Sequence, residues 1–220
     1  MSKANKKIIS EIVAEYNFVI NSLLNKGLVR DYSCFSIKGE DICSLTRNNR
    51  KNESNILYDK LCSISDVADT ILKNKEYNLL LYDKGIFQFE LEIKDGQIVK
   101  ERLIFIKKQN KLWNKEDVSS MDNDEFAEDW FKEEIGIPII IRIDYDENEF
   151  QELKHPISHF TISNYDECRI PMQGPVSISR FINFILNIFY NEEIEKIKSN
   201  YDTKITITDI EKETIHFEWK

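Results

Sequence analysis

Residues 87–107 decide the fold class that we predict for this chain. They read FQFELEIK (87–94), then Asp95-Gly96, then QIVKERLIFIK (97–107). Apolar and polar residues alternate through 87–94, which is the period of a strand with one buried face. Asp-Gly is a typical two-residue turn between antiparallel strands. We therefore predict an antiparallel meander over 77–108, beginning with a short apolar strand at 78–82.

Helices are predicted towards both ends of the chain. Apolar residues recur at three- and four-residue steps through 8–26, and Gly27 follows as a stop signal. A wide apolar face predicts a long helix over 177–198. A shorter helix is predicted at 65–73, where Ser65 can cap its start.

Further strands are predicted outside the meander. The Ile-rich stretch 137–145 is typical of a buried, central strand. Shorter strands are predicted at 31–37, 41–45 and 156–163, and a terminal β-hairpin from 204–208 and 214–219. The predicted class is α+β: a mostly antiparallel central sheet, with an N-terminal helix and a long C-terminal helix packed on it. We expect one domain, residues 1–220.

The composition excludes several classes of protein. Aromatic residues make up 11% of the 220 residues, and Gly and Pro number only 6 and 4, which excludes a disordered or collagen-like chain. No apolar run reaches the roughly eighteen residues of a membrane span. The basic N-terminus is not followed by the apolar core of a signal peptide, which favours a cytoplasmic protein.

The cysteines indicate no metal site. Cys34, Cys43, Cys62 and Cys168 form no CxxC pair and have no histidine at ligand spacing. In a reducing cytosol we expect free thiols, mostly in the core. We predict neither a bound metal nor a cofactor.

The net charge of −9 belongs to one stretch of the chain. Residues 122–152 hold twelve acids against two bases, a sum of −10, so the remainder carries 28 bases and 27 acids. The first part, 122–134, is predicted to be an acidic helix. We predict that the acidic stretch 122–152 binds a protein partner.

A nucleic-acid partner is a less favoured alternative. Basic residues cluster at Lys100, Arg102, Lys107, Lys108 and Lys111. Phosphate contacts need clusters of this kind, but the overall acidity opposes binding by the whole protein. The same basic residues could instead pair with the acidic stretch.

The densest group of chemically capable side chains lies at 155–171. It reads HPISHFTISN (155–164) and then CRIP (168–171), and holds two of the three histidines. Imidazole can act as general acid or base, and the Arg guanidinium can hold a phosphate or carboxylate. The candidate catalytic residues are His155, His159 and Arg169, and the candidate binding residues are Ser158, Asn164 and Cys168.

The segment HPISHF, the CRIP motif, and a Gly-Pro before a helix ending in Phe-Tyr resemble the DUF2290 family of uncharacterised bacterial proteins. The resemblance is clearest over 155–190. It implies a bacterial protein of unknown function, and association with mobile or phage-defence systems.

Other interpretations of the same residues remain open. The histidines and Arg169 can be structural, bonding backbone carbonyls and the acidic stretch. His159-Phe-Thr-Ile matches the strand pattern of 2H phosphoesterases, with His216 as the partner. Asp83 followed by Glu92-Ile-Lys94 fits a PD-(D/E)xK nuclease. Cys168 beside the histidines could be a nucleophile.

Two function classes follow from these features. The first, narrowly favoured, is an accessory or interaction component of a multi-protein system, possibly in phage defence, that works through the acidic stretch. The second is a small hydrolase or nucleic-acid-processing enzyme centred on His155, His159 and Arg169. If those three side chains lie close together in one cleft, the enzyme is favoured over the accessory component.

Overall fold

The computed structural model describes residues 1–48, 64–107, 139–163, 168–195, 197, 199, 201 and 203–219. The helices are α1 (Lys3–Asn25), α2 (Ile64–Asn74), α3 (Ile178–Tyr190) and α4 (Asp209–Lys212), with a 3-10 turn at Glu147–Glu149. The strands are β1 (Val29–Tyr32), β2 (Phe35–Lys38), β3 (Ile42–Arg47), β4 (Leu79–Leu81), β5 (Ile86–Lys94), β6 (Gln97–Lys107), β7 (Ile139–Asp146), β8 (Ser158–Ile162) and β9 (Ile170–Pro171).

These nine strands form one antiparallel sheet in the described part of the chain. The main order is β1-β4-β5-β6-β7-β8-β9. One edge of β5 pairs with β4 near its start and with β3 near its end, while β6 pairs along its other edge. The predicted meander is confirmed. Asp95 and Gly96 form its turn, with φ angles of 52° and 76°, as expected for a type I′ hairpin.

The main core lies between one face of the sheet and two helices. Alternate residues of β5 to β8 point to this face, and the inner sides of α1 and α3 cover them. The sheet side of this core includes Phe87, Phe89, Leu103, Phe105, Ile143 and Phe160. The alternation that predicted the strands therefore also selects the buried face. The predicted N-terminal helix and the central position of β7 are both confirmed.

The opposite face of the sheet is apolar only at one end. There, α2 packs Val67, Ala68 and Ile71 on a second core with Ile104, Ile106 and Ile140. Further along the strands, the residues on this face are polar or charged. This polar region is where the candidate site lies.

The C-terminal helix is shorter than predicted. α3 has 13 residues and ends at Tyr190, because Asn191 takes the left-handed conformation (φ 49°) and its N–H bonds back to Leu186 O. The prediction of a long helix over 177–198 was wrong, because apolar residues such as Ile194 continue beyond this cap into the core without being helical.

The predicted terminal hairpin was also wrong. The chain at 209–212 forms the short helix α4, started by a capping box between Thr208 and Glu211. Phe217 makes one isolated parallel bridge, to Met172. Among the described residues, no helix is both long and apolar enough to cross a membrane.

Candidate functional site

Four charged or titratable residues form a row across the sheet. Glu90, Arg102, Asp144 and His159 are successive cross-strand partners on β5, β6, β7 and β8. We call them the charged row. The apolar neighbours along these strands, such as Leu91, Leu103 and Phe160, belong to the main core, so the row lies on the opposite, polar face. Directly opposed side chains on neighbouring strands are close enough to interact.

Asp144 is the centre of this row. Its Oδ1 lies 2.6 Å from Arg102 Nε, and its Oδ2 lies 2.5 Å from Arg142 Nε. The residue is only 6% exposed. Burial opposes ionisation, but the charges of Arg102 and Arg142 outweigh it, so the pKa of Asp144 is lowered. Asp144 is therefore a buried, ionised carboxylate.

His159 is buried beside this carboxylate. Its Nδ1 lies 2.9 Å from the Pro156 carbonyl oxygen, and its Nε2 lies 3.7 Å from Asp144 Oδ2. Because a carbonyl can only accept a hydrogen bond, Nδ1 carries the proton of the neutral ring. Burial lowers the pKa of His159 to about 4, although Asp144 acts in the opposite direction. The imidazole is therefore neutral at pH 7, with an unprotonated Nε2.

His155 and Arg169 complete the cluster around His159. The rings of His155 and His159 are 4.9 Å apart between centroids and inclined by 77°. Arg169 is near enough for its charge to help lower the pKa of His159. Within the described part of the chain, His155 Nδ1 and Arg169 Nε are buried without a hydrogen-bond partner. The structure thus brings His155 and His159 into ring contact, and Arg169 directly precedes β9, whose Pro171 is the cross-strand partner of His159.

The candidate binding residues do not all join this cluster. Ser158 points to the other side of β8, where its hydroxyl donates to Gly174 O at 2.6 Å. Cys168 is half-buried, and no described contact joins its sulfur to either histidine. Asn164 lies outside the described residues.

Sequence reasoning did not assign Arg102, Arg142, Asp144 or Thr161 to the site around His159. Thr161 is fully buried on β8, opposite Arg142, and its hydroxyl has no hydrogen-bond partner among the described residues. A signal for two of them was present, since Arg142 and Asp144 alternate with isoleucines in the Ile-rich strand β7. Charges at alternate positions of a buried strand indicate a polar site on one face.

The described residues of the predicted nuclease and phosphoesterase patterns do not come together in the structure. Asp83 binds Lys107 Nζ at 2.5 Å and accepts a hydrogen bond from Tyr190. It precedes the start of β5, whereas Glu92 and Lys94 lie about 20 Å along that strand. His216 contacts Glu218 at 3.4 Å and has no described contact with His159. No group of three or more potential metal ligands occurs within the residues that the structure describes.

Basic and acidic residues of the two predicted patches pair with each other. Lys100 Nζ lies 2.7 Å from Asp146 Oδ2, and Arg102 binds Asp144 as described above. Lys108, Lys111 and the predicted acidic helix 122–134 lie outside the described residues. The protein and nucleic-acid partners remain predictions.

A comparison with models of known protein families matches most of the chain. The family model described as "Uncharacterized conserved protein (DUF2290)" matches residues 28–219. The chain belongs to the DUF2290 family. The predicted resemblance is therefore confirmed, and the DUF2290 match includes all nine strands and the histidine cluster. No curated protein and no solved structure matches the chain.

Proposed function

We propose that the chain is a small hydrolase that binds a phosphate ester at the cluster formed by His155, His159 and Arg169. The observation that supports this most directly is the ring contact between the two histidines beside Arg169. Titratable groups gathered in this way, with one strongly shifted pKa, are typical of functional sites.

Arg169 would bind the phosphate. Among the described residues it makes no ion pair, and its buried Nε has no hydrogen-bond partner. A guanidinium fork matches the geometry of phosphate oxygens and stabilises the charge that develops on them during transfer. The phosphate would thus supply an anion for Arg169, which has no anionic partner among the described residues.

The two histidines would have different roles. The Nδ1 of His159 bonds to the Pro156 carbonyl oxygen, and its Nε2 faces Asp144. Because both ring nitrogens face groups of the protein, His159 would position the neighbouring side chains. His155 has a buried Nδ1 without a described partner, so it is the group that exchanges protons with substrate. It would take a proton from water as the water oxygen bonds to phosphorus. The P–O ester bond breaks, and the proton is returned to the leaving oxygen.

Hydrolysis of p-nitrophenyl phosphate and bis(p-nitrophenyl) phosphate tests this function. We expect release of p-nitrophenol, and a loss of about 100-fold or more in His155→Gln. His216→Gln is the matched control, since His216 contacts Glu218 rather than the cluster. Full activity in His155→Gln, or no activity of the native chain on either ester, would contradict the proposal.

A second candidate function is the accessory role, within a bacterial multi-protein system such as phage defence. One observation favours it. Residues 147–154 are all exposed, and include Phe150 (39%) and Leu153 (51%) beside the acids Glu149 and Glu152. Acids around exposed apolar side chains suit a protein interface. The docking surface would then be 147–154 rather than Asp144 and Asp146, which are buried in ion pairs.

Co-purification with the products of neighbouring genes tests this second candidate. The variant Phe150→Ala with Leu153→Ala should abolish a complex that the native chain forms. Ile188→Ala, on an exposed position of α3 (56%), is the matched control. A complex that survives loss of Phe150 and Leu153 would exclude this surface. Nucleic-acid binding is less favoured, because Lys100, Arg102 and Lys107 are each paired with an aspartate.

A further inference from the structure

Thr161 is a buried hydroxyl at the candidate site. It lies two residues beyond His159 on β8, so both side chains point to the same face. Thr161 is 0% exposed, and its Oγ1 has no hydrogen-bond partner in the described ranges. Buried polar atoms are nearly always hydrogen-bonded, and an exception calls for a water, an ion or a ligand atom.

We infer that the site takes the terminal phosphate of a monoester, and that the Thr161 hydroxyl contacts one of its oxygens. This inference rests on the proposed function and names its substrate class. It adds Thr161 to the residues that hold the substrate.

The burial of the cluster favours a terminal group. Asp144, His159 and Thr161 are at least nine-tenths buried, whereas His155 and Arg169 are partly exposed. A ligand would therefore enter past His155 and Arg169 towards Thr161. A terminal phosphate group can enter in this way, because the rest of the molecule extends from one side of the phosphorus only. An internal phosphodiester would have to bury the chain on both sides of the phosphorus as well.

The charge of Arg169 and the open donors beside it also fit a monoester. Arg169 Nε and Thr161 Oγ1 are buried hydrogen-bond donors without a described partner. A phosphomonoester offers three free oxygens and close to two negative charges at pH 7. A diester offers two free oxygens and one negative charge, so the Arg169 guanidinium would attract it less strongly.

Calorimetric titration with phenyl phosphate and diphenyl phosphate tests this inference. We expect the native chain to bind phenyl phosphate at least about tenfold more tightly, because the greater charge of the monoester strengthens its charge-assisted hydrogen bonds to Arg169. Thr161→Val should weaken phenyl phosphate binding about tenfold. Thr206→Val is the matched control, since Thr206 Oγ1 is another buried hydroxyl without a described partner, in the C-terminal segment.

The outcomes separate this inference from the proposed function. Equal or tighter binding of diphenyl phosphate, or unchanged binding in Thr161→Val, would overturn the monoester assignment while leaving a phosphate site. Binding of neither compound would overturn the phosphate site itself. If Thr161→Val does not fold, the ratio of the two affinities in the native chain decides the question.

Discussion

Asp144 and His159 face each other directly across β7 and β8, with Asp144 Oδ2 3.7 Å from His159 Nε2. Asp144 is also the shared partner of Arg102 and Arg142. One buried carboxylate therefore links the two arginines of neighbouring strands to the histidine cluster. The stability of this part of the sheet should depend on it.

Asp144→Asn should destabilise the fold strongly. The substitution leaves the guanidinium groups of Arg102 and Arg142 without the carboxylate that they contact. Removing one member of a buried ion pair typically costs about 3–5 kcal/mol. Urea denaturation would measure the change. Asp209→Asn is the control, since Asp209 is 98% exposed in its pair with Lys212, and a similar loss there would contradict the assignment.

Stability should decrease between pH 6.5 and pH 4 because of His159. Burial lowers the pKa of His159 to about 4 in the fold, against about 6.5 in the unfolded chain. Below pH 6.5 the unfolded chain therefore binds more protons, so this contribution falls as the pH falls and levels off below pH 4. The change is on the order of 3 kcal/mol.

Titration of the His159 ring proton by NMR would check the pKa directly. Denaturation of His159→Gln between pH 7 and 4 should show a smaller decrease than the native chain. A His159 pKa near 6.5 would contradict the burial that the structure shows.

Tyr201→Phe should destabilise the start of α3. The Tyr201 hydroxyl donates to Glu15 Oε2 at 2.8 Å and accepts from Ile178 N at 3.0 Å. Without it, a buried carboxylate oxygen and a buried N–H each lose a partner, which costs about 1–3 kcal/mol. Thermal unfolding would measure this. Tyr32→Phe, at an exposed position (47%), should have no effect.

Gly174→Ala should separate the C-terminal segment from the sheet. A Cβ at this position would lie 1.9 Å from the backbone oxygen of Lys204, so the backbone must move. We expect a loss of about 2 kcal/mol or more, measured by denaturation. Because the clash is with backbone, adding Lys204→Ala should not restore stability. Rescue by that second change would show that the side chain is responsible.

Local patterns were sufficient for much of the fold. Alternation over 87–94 and the turn at Asp95-Gly96 predicted the hairpin, because both depend on neighbouring residues alone. The end of α3 was not predicted, because apolar periodicity continues past Asn191. Those later apolar residues are buried by tertiary packing rather than by helix formation.

For the site, the sequence by itself determined that two histidines and an arginine are concentrated in 155–171. Only the tertiary structure placed Asp144 opposite His159, and Arg102 opposite Asp144. Cross-strand partners are set by the register of strands that are far apart in the chain, and a shift of one residue would turn each side chain to the other face. Long-range register, rather than local composition, therefore decided the chemistry of the cluster.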